Sequence, residues 1–234
     1  MSAGQNISLT VQSPARIAGI LLVSSFLILL LALFILIASG AFSAFSAGLQ
    51  GSLAEKTPYA AIFRRLNLFW TVGWIVQLLG FGLLTRLLLR AGDESRALLA
   101  FIAVLVAAII GVLHGTFHMS VETWAAQEAA RAGTAPEVYE PLRIWIGHTF
   151  RIAYVLHLLG TAGFGWSLLQ TSLLPPWLGR VMTGWSIFWL AGYPVGVGMP
   201  AILFIMPAII GAALVMETSK VGNDSIEAKE ELFP

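Results

Sequence analysis

In the stretch "AAIIGVLHGTFHMSVE", residues 107–122, a run apolar enough for a membrane span ends in His114, His118 and Glu122, each four residues after the last. At about 100° per residue, helical positions four apart differ by only about 40°, so the three side chains form one stripe. Imidazole and carboxylate on adjacent turns are ligands that zinc, copper and non-haem iron accept. His148 lies just inside the next apolar segment. If that segment returns antiparallel, His148 stands at the depth of His114 and His118. The expected site is therefore a metal site of His114, His118, Glu122 and His148, or a haem held axially by His114 or His118 opposite His148. Gly111 and Gly115 form a small-xxx-small face beside the stripe, which admits a close neighbouring helix and leaves room for a macrocycle. The plainer reading, which residue types and spacing favour over both, makes the histidines interfacial or hydrogen-bonded structural residues.

A second polar stripe follows. His148, Arg151, Tyr154, His157 and Thr161 recur every three or four residues and run toward mid-membrane. A charge inside a span costs a few kcal/mol unless it is paired or wet. The partners on offer for Arg151 are Gln77, Asn67, Glu122, a backbone carbonyl or an anionic ligand; otherwise its guanidinium snorkels to the interface. Arg151, Tyr154, His157 and Gln77 are thus expected to line a pathway for a small anion. For His157 a structural hydrogen bond is the favoured of the two readings.

Helices in a bilayer must position these groups. Apolar residues make up 58% of the 234, and charged residues only 11%. A soluble domain of that composition has too little polar surface to cover itself. The formal charge of +1 suggests no nucleic-acid groove. Cysteine is absent, which excludes disulfides, thiolate zinc sites, iron–sulfur clusters and cysteine nucleophiles.

A spanning helix needs roughly 20 apolar residues. Such runs occur at about Ile17 to Ser39, Leu66 to Leu89, Ala97 to Phe117 and Ile144 to Leu169. The block from Leu178 to Met216 is too long for one crossing and is broken by "GYPVGVGMP", so it reads as two helices joined there. The expected fold is an all-α integral membrane bundle of six helices. Residues 1–16 are a flexible tail, 17–217 the membrane domain and 218–234 a disordered tail. The first apolar run exceeds a signal-peptide core of roughly 7 to 15 residues and reads as a retained span.

Arg86, Arg90 and Arg96 crowd a short loop, which the positive-inside rule assigns to the cytoplasm together with both termini. On that topology the Asn6 sequon is accidental. Trp70, Trp124 and Trp145 suit the outer interface, Trp166 and Trp177 the inner one, and Trp74, Trp185 and Trp189 the core. The long loops at 40–65 and 119–143 face outward. The second, "SVETWAAQEAARAG" with its stop at Gly133, reads as a short helix capping the outer face.

"PARIAGILL" at 14–22, "FRRLNLFWTV" at the second segment, "LLTRLLLRAGDESRALLA" around the second turn and "HLLGTAGFGWSLLQTSLLPPWLGRVMTGWSIFWLAGY" late in the chain resemble a bacterial six-span family, domain of unknown function four-three-eight-six. The resemblance covers most of the chain. It implies a multi-pass protein of the bacterial inner membrane and supplies no activity. The His114 and His118 pair is not among its motifs.

Three functional classes follow. The first is a small bundle that binds an apolar ligand or accompanies a larger membrane complex, its histidines structural. The second is a metal- or haem-dependent membrane oxidoreductase or hydrolase. The third is a small-anion permease. Against other chemistries, no lysine lies in a span for a retinal Schiff base, no acidic chain crosses the core and no phosphate-binding glycine loop is present. No internal repeat supports an inverted-repeat transporter, and Ser24, Ser25 and Ser186 have no base beside them.

Overall fold

The computed structural model describes residues 3–42, 53, 57–171, 173–192 and 202–230; of these, 3–13, 57 and 220–230 are described by backbone alone. The described residues are almost wholly helical. Seven α-helices follow in order: α1 Ala3–Ala38, α2 Ala60–Arg90, α3 Glu94–Phe117, α4 Thr123–Ala132, α5 Tyr139–Gln170, α6 Pro176–Gly192 and α7 Ile202–Glu230. Among the described residues five stretches are long and apolar enough to cross a membrane: Pro14–Ala38, Ala60–Arg90, Glu94–Ala132, Tyr139–Gln170 and Ile202–Ser219. Their outward faces carry exposed Leu27, Phe34, Leu79, Leu99, Ile109, Ile152 and Leu159. An apolar exterior on that scale is stable only against lipid tails. The chain is a multi-pass membrane protein.

Neighbouring helices run antiparallel: Gly80 of α2 lies against Leu22 of α1 and Gly73 against Ser25, while Gly111 of α3 lies against Trp74 of α2 and Gly115 against Thr71. The turn between α2 and α3 needs only residues 91–93. The amides of Ala91, Gly92 and Asp93 bond to the carbonyls of Leu87, Leu89 and Leu88 at 3.0–3.2 Å, and Gly92 supplies the positive φ of 93° that an L side chain resists. Pro176 occupies the first turn of α6, where its missing N–H costs no helical bond. The main contacts join α1 to α2 and α7, α3 to α2 and α5, and α5 to α6.

Glycine sets the closest crossings. A Cβ on Gly19 of α1 would stand 2.5 Å from the Gly211 carbonyl oxygen of α7, so these two backbones touch directly. Small residues permit this, and dispersion contacts between close backbones then hold helices together where no water drives them. Toward the 91–93 end the core is Leu22, Phe81, Leu84, Leu88, Phe164, Leu168, Met182 and Ile210, with Phe81 and Phe164 stacked at 4.8 Å.

Several elements differ from the sequence reading. The third apolar segment does not stop at Phe117. It passes through a single π-helical turn, His118–Glu122, into α4, so the expected separate surface helix is a continuation of α3. Its end is where the sequence put it: Gly133 adopts φ 78° and donates to the Ala129 carbonyl at 2.9 Å. Helix also occupies residues 3–13 and 220–230, expected as loose tails, because extending a nucleated helix is far easier than starting one. Trp124, Trp145, Trp166 and Trp177 are exposed, whereas Trp70 is half-buried. It packs with Trp74, Phe150 and Phe204 at centroid distances of 5.6–6.1 Å. The break expected at Gly192–Pro200 falls almost wholly outside the described residues.

Candidate functional site

The π-turn brings the first stripe to one place. The wider turn holds one extra residue, which rotates everything beyond it by about one residue's worth, roughly 100°. Within it the His118 Nδ1 and the Glu122 Oε2 share a hydrogen bond, each side chain 13% exposed. The other carboxylate oxygen of Glu122 accepts from the Tyr139 hydroxyl at 3.5 Å. Tyr139 is the first residue of α5, so Glu122 ties the π-turn to the next span. Thr123 Oγ1 donates to the His118 carbonyl at 3.3 Å, giving one of the turn's backbone acceptors a side-chain donor. Beneath this tie lies an apolar plug of Phe117, Ala125, Tyr139 and Ile146.

His114 sits one turn deeper. Its ring stacks on Phe150 of α5 at 4.3 Å, meets the His118 ring edge-on at 4.5 Å, and faces the Ile146 backbone carbonyl. The glycines beside the stripe face elsewhere. Cβ atoms on Gly111 and Gly115 would collide with the Trp74 indole and the Thr71 hydroxyl, both on α2. The small-residue face of α3 therefore receives α2, while its histidine face receives α5.

His148 does not join the cluster. It is exposed on the outer surface of α5, beside a cavity of about 150 Å³ lined also by Arg143, Ile144, Gly147 and Arg151. Ile146 and Phe150, which meet α3, lie two residues to either side of His148, about 200° around the helix. The expected quartet of His114, His118, Glu122 and His148 is therefore not assembled, and neither is a haem pair across α3 and α5. A metal needs its ligand atoms about 2.0–2.2 Å from the ion. Among the described residues no three His, Asp or Glu side chains are placed to share one. His118 and Glu122 remain two potential ligands side by side.

The second stripe splits as well. Arg151 is exposed, whereas Tyr154 and His157 are buried at 2% and 0% exposure, so the three do not line one path. The three side chains considered as partners for Arg151 are engaged elsewhere: Asn67 Nδ2 donates to the Phe63 carbonyl at 2.9 Å, Glu122 is held by His118, and Gln77 is buried against Leu203. Gln77 Nε2 and His157 Nε2–H both donate to the carbonyl of Leu203, at 3.1 Å and 2.9 Å.

That convergence has a cause in the sequence. Leu203 lies four residues before Pro207 in α7, so the nitrogen that would normally bond its carbonyl carries no hydrogen. Inside a membrane such a carbonyl must be satisfied by side chains from neighbouring helices. Gln77 of α2 and His157 of α5 do so, and thereby join three helices at one atom. Trp74 and Phe81 meet the His157 ring edge-on at 5.2 Å and 6.0 Å. Gln77 Oε1 and His157 Nδ1 are buried without a hydrogen-bond partner among the described residues. The proline's spacing from Leu203 was a readable signal for an unpaired carbonyl; Tyr139 and Phe150, by contrast, carry no local signal of their roles.

No family model matches the chain, and neither a curated protein nor a solved structure matches it.

Proposed function

We propose that this chain is a non-catalytic six-span membrane bundle, a binding or accessory protein that takes an apolar ligand or accompanies a larger membrane complex. Its histidine cluster is a structural tie beneath a cap formed by α4. The observation that supports this reading is Glu122, which is engaged by His118 on one oxygen and Tyr139 on the other. The strongest polar groups of this end are thus directed at one another.

The sixth span in this reading is α6. Its 17 residues reach about 26 Å at 1.5 Å per residue, somewhat short of a hydrocarbon core of about 30 Å. It packs against α5, where a Cβ on Gly165 would stand 2.9 Å from the Gly179 carbonyl oxygen, and it exposes Ile187 and Phe188 as the other spans expose their lipid-facing residues. Six crossings put both termini on one side, and Arg86, Arg90 and Arg96 make that side cytoplasmic. The resemblance to the bacterial six-span family supports this count and the reading of an inner-membrane protein.

Elemental mass spectrometry and absorbance spectra of the untagged protein test the reading. A structural tie predicts no stoichiometric metal or haem, with His118→Ala and Glu122→Gln each lowering stability by about 1–3 kcal/mol. Stoichiometric zinc, copper, iron or haem that disappears with His118→Ala overturns it in favour of a metal- or haem-dependent enzyme.

A further inference from the structure

The outer surface of α5 carries two arginines and a histidine that the histidine tie does not use. Arg143, Gly147 and Arg151 are spaced by four residues and share a stripe. The glycine has no side chain, so a gap opens between the two arginines. Ile144 and His148, also four apart, form its wall. The result is the cavity of about 150 Å³ whose lining, among the described residues, is these five alone.

The notch faces lipid. Ile144, Trp145 and Ile152 around it are exposed apolar residues, and His148 and Arg151 are exposed with them. Its depth follows from two exposed tryptophans of the same helix. Trp145 and Trp166 are 21 residues apart, about 32 Å along the axis, which matches a hydrocarbon core of about 30 Å with an aromatic belt at each edge. Arg151 starts about 9 Å inside the Trp145 level. Helical side chains lean toward the helix N-terminus, and here that is the Trp145 end. The guanidinium is therefore carried up toward His148 and the headgroup layer.

The charges are unevenly committed. Arg143 is held by Glu140 through both oxygens of the carboxylate, Nε to Oε2 at 2.7 Å. Arg151 and His148 have no hydrogen bond or ion pair among the described residues, although a guanidinium facing hydrocarbon requires a partner. A guanidinium presents parallel N–H donors that match two oxygens of a phosphate.

We propose that Arg151, His148 and Arg143 form a phosphate notch over Gly147 that binds the headgroup of an anionic phospholipid, whose acyl chains lie along the exposed Ile152 and Leu159. The notch shares no residue with the histidine tie and stands or falls separately from it.

Native mass spectrometry of the delipidated full chain in detergent, titrated with phosphatidylglycerol or phosphatidylcholine, tests this. The expected result is one preferentially retained phosphatidylglycerol. Arg151→Gln weakens it about tenfold or more. Gly147→Leu, which keeps every charge but fills the gap, weakens it comparably, and Arg86→Gln at the opposite end leaves it unchanged. Equal retention of phosphatidylcholine overturns the proposal, as does undiminished binding by Gly147→Leu, which reduces the effect to unspecific charge attraction. Full displacement of the lipid by inorganic phosphate overturns it in favour of a soluble anion. Should Gly147→Leu fail to fold by circular dichroism, Arg151→Gln and His148→Ala decide: loss in both supports the notch, and unchanged binding in both refutes it.

Discussion

Substituting Pro207 with alanine returns a backbone N–H four residues after Leu203 and so offers that carbonyl the helical bond it lacks. Gln77 and His157 then become surplus donors, and the energetics of the node should change in a calculable way. With proline in place, Gln77→Leu or His157→Leu leaves the carbonyl one donor of the pair at 3.1 Å and 2.9 Å. Interhelical polar bonds in membranes average about 0.6 kcal/mol, so each single substitution costs on that order. Loss of a buried orphan atom, Oε1 or Nδ1, offsets part of it. Removing both donors strands a buried carbonyl, at about 1–3 kcal/mol. The double variant should therefore exceed the sum of the singles by about 1 kcal/mol. In the Pro207→Ala background the excess should vanish. Equilibrium unfolding in mixed micelles, or steric trapping in bicelles, measures the unmodified protein and the seven variants of this cycle. An excess that persists with alanine at 207, or no excess with proline, refutes the account of the freed carbonyl.

Close packing makes further predictions. Gly111→Ala places a Cβ within 2.7 Å of the Trp74 Nε1 and should cost about 1–3 kcal/mol by overpacking, read as a lowered unfolding midpoint. Gly184→Ala, which meets nothing within 4 Å, should be neutral or gain up to about 1 kcal/mol of helix propensity in the same assay. Gly133→Ala forces a side chain onto a backbone at φ 78°, at about 1–2 kcal/mol; hydrogen exchange should show faster opening confined to the end of α4.

The helices were legible because their signal is local. Apolar runs bounded by the "AGD" turn and by Gly133 mark ends that the structure keeps, since a backbone at positive φ depends on the residue that adopts it. Helix phase was equally readable: His114, His118 and Glu122 do lie on one stripe, and His118 and Glu122 do meet. The π-turn was not readable. "HMSVE" contains no proline or glycine to announce a defect, and only its neighbours Tyr139 and α2 show what the altered rotation accomplishes.

What the sequence alone determined about this protein is its solvent, its helices and the angular order of side chains around each one, because composition and a period of 3.6 residues are properties of the chain by itself. Tertiary structure decided which face of each helix met which neighbour. Rotation of α5 about its axis costs its own hydrogen bonds nothing, so packing settled it: Gly111 and Gly115 took α2, Phe150 covered His114, and His148, two residues away, was turned to the lipid. The carbonyl of Leu203 marks the boundary between the two. Pro207 left it unpaired by a rule of local geometry, but only the meeting of three helices could bring Gln77 and His157 to the same oxygen.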